Sequence, residues 1–153
     1  MIKMKDLIQL QNEVADHLGI DPLPIRFEDI GDEDSRLYFF MRKHIVINSK
    51  YKDNYIECAK CITHEYRHYF QSDFANHFDN EIANRWRMLL NSQVNARNMK
   101  IDGSDYISQE LEIDAFAFTK YYLKKYEGID VKNKIEGLDE FLDEYIEKRK
   151  GIL

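Results

Sequence analysis

Both prolines of this 153-residue chain, Pro22 and Pro24, fall within one short stretch, and only six glycines punctuate the whole. So few breakers favour long helices over a turn-rich β architecture. Apolar residues fill 44% of the sequence, enough to build a core at this length, which excludes wholesale disorder. The size suits one domain spanning residues 1–153. Its 28 acidic residues outweigh 22 basic ones, for a formal charge of -6. That balance argues against direct binding to nucleic acid or an anionic membrane, either of which needs a basic face.

The helical pattern starts early. Leu7, Leu10, Val14 and Leu18 repeat at helical spacing, and Gly19 stands where a C-terminal cap belongs. After the prolines the texture becomes β-like in three runs, Ile25–Phe27, Leu37–Met41 and His44–Ile47, with a turn over Gly31–Ser35. A tight connection at Lys43 makes a small antiparallel sheet the natural expectation. Beyond Asn48 everything reads as helix. Asp53 or Asn54 caps a helix to about Ser72, and further helices run from about Asp79 to Met99, Tyr106 to Glu127 and Leu138 to Lys148. The expected class is α+β, a small sheet beside a helix-rich core. The amphipathic last helix closes that core, which favours a monomer.

One segment carries chemistry. Residues 64–68 read HEYRH, an HExxH pattern inside a predicted helix. Residues four apart lie one turn apart on the same face, so His64 and His68 can present two imidazole nitrogens to one tetrahedral zinc ion. Glu65 projects beside the metal, where it can take a proton from water as general base. Chance produces HExxH in well under ~1% of chains this long, and here the helical context is also right.

A catalytic zinc needs a third protein ligand. Residues 109–118 read QELEIDAFAF, and Glu110 and Asp114 share one helical face. Glu110 is the expected ligand, with Asp114 accepting a hydrogen bond from a zinc-bound imidazole, that of His64. Two rivals exist. Glu112 lies on the same helix but points nearly opposite to Glu110, and His77 follows His68 by nine residues, ~13 Å along a helix.

With these residues in hand, the chain resembles the ImmA/IrrE family of small zincin-like metallopeptidases. The likeness covers Pro24–Asn48, the HEYRH helix and the Glu-Leu-Glu-Ile-Asp-Ala-Phe-Ala run. It implies His64, His68 and Glu110 as zinc ligands, Glu65 as base and Asp114 behind the ligands. It also implies an edge strand that pairs with an extended peptide substrate, for which 37–41 and 44–48 are the candidates. The typical family substrate is a helix-turn-helix repressor encoded beside the peptidase, often on phage or mobile elements. The chain departs from the family in two places: Tyr66-Arg67 replaces the usual Leu-Gly, and an inserted helical segment occupies about 74–103. The expected function is therefore a zinc-dependent endopeptidase, and the alternative is a non-catalytic zinc-binding regulatory protein of the same fold.

Other features have plainer readings. Cys58 and Cys61 form a CxxC inside a helix; Cys58 lies ten residues before His68, ~15 Å along the helix, too far to share its metal, and the pair reads as core. Tyr121, Tyr122 and His77 are candidates to stabilise an oxyanion. Arg85 and Arg87 flank Trp86 as a solvated face around a core anchor. Met1–Asp6 lacks the apolar run of a secretory signal, and no stretch approaches the ~20 apolar residues of a membrane span. A cytoplasmic location is expected.

Overall fold

The computed structural model describes residues 4–31, 37–39, 44–91 and 106–153. Helix α1, Met4–Leu18, buries the expected Leu7, Leu10, Val14 and Leu18. It stops because Gly19 takes φ +68°, a left-handed conformation that costs glycine nothing. The chain then reverses so that Ile20 N–H donates to Ala15 O and Gly19 N–H to Asp16 O. The following proline segment is pinned to the core by Tyr66, whose hydroxyl accepts from Leu23 N–H at 2.8 Å and donates to Gln11 at 3.1 Å.

Strands β1, Ile25–Glu28, β2, Leu37–Phe39, and β3, His44–Asn48, form a sheet in the order β1-β3-β2. The sheet is mixed, which corrects the antiparallel expectation. β2 and β3 pair antiparallel, with Tyr38 opposite Ile45, whereas β1 runs parallel to β3, with Ile25 opposite Ile45. The cause lies in β3. All five of its residues are buried, whereas β1 alternates half-buried Ile25 and Phe27 with exposed Arg26 and Glu28. A strand with no exposed position belongs in the centre, so β1 and β2 take its two flanks. The candidate peptide-pairing edge therefore narrows: 44–48 is interior, 37–39 lies at an edge, and 40–41 falls outside the described residues.

Helix α2, Tyr55–His77, begins where Asn54 Oδ1 accepts from Glu57 N–H. It runs past the expected Ser72 because Phe74 and Ala75 extend its apolar face onto Trp86. Helix α3, Glu81–Asn91, begins after Asn80, whose side chain accepts from Ala83 N–H. Arg87 ties the two helices together by donating to Ala75 O and, at 2.9 Å, to Phe78 O. The expected continuation of this helix to Met99 lies outside the described residues. Helices α4, Tyr106–Glu127, and α5, Leu138–Arg149, complete the α+β, helix-rich fold. The main core gathers α1, β3, α2, α4 and α5 around Tyr66, Phe118 and Leu142. Among the described residues, no helix is long and apolar enough to cross a membrane.

Candidate metal centre

Helices α2 and α4 pack against each other. The α2 stripe directed at α4 is His64, Arg67, His68 and Gln71, at i, i+3, i+4 and i+7, the spacing of one helical face. His64 Nε2 lies 3.1 Å from His68 Nε2. The Glu112 carboxylate straddles them, Oε2 at 3.0 Å from His64 Nε2 and Oε1 at 2.9 Å from His68 Nε2. Tetrahedral zinc with bonds of 2.0–2.1 Å spaces its donor atoms roughly 3.3 Å apart, and one ligand atom from each of the three residues lies within 4.8 Å of the others. Two imidazoles and one carboxylate are also the donor chemistry of catalytic zinc sites with an open fourth position. The residues present fit a zinc ion.

Charge couples the three groups. Burial alone would push the Glu112 carboxyl up, but the His68 and His64 rings beside it hold it well below the ordinary carboxylate range. His68 moves the other way. Burial would lower its pKa, and the Glu112 charge and hydrogen bond, the Glu65 charge and the bond to Gln71 raise it instead. His68 remains 20% and Glu112 16% exposed, which leaves the group reachable from solvent. Glu65, the expected base, is buried beside His64, and its charge is felt at His68.

The α4 residues divide differently from the sequence expectation. Glu110 does not meet the imidazoles. Its Oε2 accepts from Arg85 Nε and Nη2 of α3, both at 3.0 Å. Asp114 does not support His64 either. It accepts from Arg67 Nε at 2.6 Å and Nη2 at 3.1 Å, from Gln71 Nε2 at 2.8 Å and from the Tyr145 hydroxyl at 3.1 Å. The physical reason is the rotation of α4 about its axis. Glu112 and Phe116, one turn apart, face His64, with the Phe116 ring centroid 4.7 Å from that of His64. Glu110 and Asp114 share the neighbouring flank, where α3 supplies Arg85 and α2 supplies Arg67 as cationic partners.

The other candidates are committed elsewhere. His77 is 67% exposed on the last turn of α2 and pairs with Asp73. Tyr122 packs on His17 and Phe118, and Tyr121 accepts from Lys125. Cys58 and Cys61 form no disulfide and are fully buried, and burial pushes the Cys58 thiol up to about 11.

Three residues that the sequence reading left unassigned join the hydrogen bonds around Asp114. Arg67 has no exposed surface, and its guanidinium lies 4.8 Å from the Phe70 ring, 5.1 Å from Phe118 and 5.6 Å from Trp86. Gln71 bonds His68 Nδ1 at 2.9 Å. Both sit on the helical stripe of the histidines, a signal that was available. Tyr145 reaches Asp114 from α5, and no sequence spacing announces that contact. His64 Nδ1, though buried, has no hydrogen-bond partner among the described residues. Comparison with protein-family models, curated proteins and solved structures yields no significant match to the chain.

Proposed function

We propose that the protein is a zinc-dependent metallo-endopeptidase whose metal is held by His64, His68 and Glu112. The observation that carries the reading is the convergence of His64 Nε2, His68 Nε2 and the Glu112 carboxylate to separations of 2.9–3.1 Å. A zinc ion bound there supplies Lewis acidity, which acidifies water and polarises a substrate carbonyl. Glu65 acts as general base. It accepts a proton from the attacking water as the new C–O bond forms, then delivers that proton to the departing amine nitrogen as the C–N bond breaks. Glu112 carries a full negative charge into the donor set. An extended substrate strand pairs with the edge of β2, the candidate that survives from the two named above.

The substrate class is protein or peptide. The resemblance to the ImmA/IrrE peptidases makes a helix-turn-helix repressor the first protein to try, so any link to DNA runs through that partner. Two cysteines that form no disulfide suit a reducing cytosol. The test is metal analysis and cleavage assays of the wild type and Glu65→Gln on candidate repressor and host proteins. Zinc in both proteins, with cleavage by the wild type alone, is the expected result. Zinc in both without cleavage of any protein that the wild type binds moves the assignment to a non-catalytic zinc-binding regulator. Equal cleavage by both removes Glu65 as the base.

A further inference from the structure

We infer that Gln71 is a positioning residue that fixes His68 as an Nε2 ligand, and that the buried Arg67–Asp114 ion pair sets Gln71 in the required orientation. This assignment rests on the metal reading above and on which atoms can donate and which can accept. Gln71 ends in one carbonyl oxygen, an acceptor, and one NH₂ group, a double donor. Its Nε2 lies 2.9 Å from Leu111 O and 2.8 Å from Asp114 Oδ2. The backbone carbonyl can only accept. Asp114 is held as an acceptor by Arg67, which donates to both of its carboxylate oxygens. Both contacts therefore require the NH₂ group at that end of the amide, which turns Oε1 toward His68.

Gln71 Oε1 then stands 2.9 Å from His68 Nδ1 and can only accept from it. When this ring gives up one proton to bind a metal, the proton that stays is the one on Nδ1, and the lone pair opens on Nε2. That is the atom aimed at His64 and Glu112. Arg67, Asp114, Gln71 and His68 form one directed chain of hydrogen bonds with a single consistent assignment. Arg67, Asp114 and Gln71 are all buried, so bulk water does not compete for the groups that set the direction. His64 lacks such support: its Nδ1 is unpartnered among the described residues and its ring rests on Phe116. The two imidazoles of the HExxH pattern are thus unequal, His68 oriented before metal binds and His64 oriented by packing and by the metal.

The test uses the full chain and zinc itself as probe. Chelator competition gives the zinc affinity of the wild type, Gln71→Met, which keeps length without hydrogen bonding, and Tyr145→Phe. Nuclear magnetic resonance of isotope-labelled histidine in the zinc-loaded wild type shows which ring nitrogen carries the proton. The expected results are a loss of about 10–100-fold in affinity for Gln71→Met, within about twofold of wild type for Tyr145→Phe, and a protonated Nδ1 on His68. The resonance measurement needs no variant, so an Nδ1-coordinated His68 overturns the inference even where Gln71→Met fails to fold. Unchanged zinc affinity in folded Gln71→Met, or His68 coordinating through Nδ1, overturns this inference while leaving the metal site standing. A wild type that binds no zinc overturns the metal reading and the inference together.

Discussion

Arg67 and Asp114 face each other between α2 and α4 with Nε 2.6 Å from Oδ2, and neither side chain has any exposed surface. Taking both charges out of water is costly, and the remaining Asp114 bonds to Gln71 and Tyr145 help offset that cost. Removing one partner leaves the other charge uncompensated. Asp114→Ala is expected to lower stability by about 3–5 kcal/mol in urea denaturation. A loss below about 1 kcal/mol would show that water or another group takes over the Arg67 charge.

Tyr66, inside the HEYRH run, ties α2 to the proline segment and to α1. Its hydroxyl bonds Leu23 N–H and Gln11 across 43 and 55 residues of sequence. Tyr66→Phe keeps the ring and strips both buried groups of their partner. The expected cost is about 1–3 kcal/mol in the same denaturation experiment, with zinc content unchanged. Concurrent loss of zinc would place Tyr66 in the metal centre, contrary to its position on the far side of α2 from Glu112.

The CxxC is inert in this account. Burial first, then the nearby charges of Glu57 and Asp53, hold the Cys58 thiol up at about 11, so at pH 8 its thiolate is on the order of a hundredfold scarcer than that of a free cysteine. A thiol reagent at pH 8 should therefore leave Cys58 unlabelled in the native protein and label it readily in urea. Rapid native labelling would contradict this and point to a reactive thiol.

Much of the architecture was legible because its signals are local. The Leu7, Leu10, Val14, Leu18 stripe and Gly19 define α1 without reference to the rest of the molecule. HEYRH places two imidazoles on one face for the same reason. What failed depends on packing between elements. The parallel pairing of β1 with β3 follows from β3 being buried along its whole length, and the sequence shows this only as a run of Ile-Val-Ile. The choice between Glu110 and Glu112 turns on the rotation of α4 against α2, and two acids two residues apart look alike until Arg85 claims one of them. Spacing alone therefore favoured the ExxxD pair, whereas both of its members answer to arginines.

The central claim is that Glu112, and not Glu110, completes the metal site, and zinc content measured on purified Glu112→Gln and Glu110→Gln beside the wild type tests it most directly. The account predicts about one zinc per chain in the wild type and in Glu110→Gln, whose lost partner Arg85 is partly exposed, and a large loss in Glu112→Gln. Zinc retained by Glu112→Gln and lost from Glu110→Gln would contradict it.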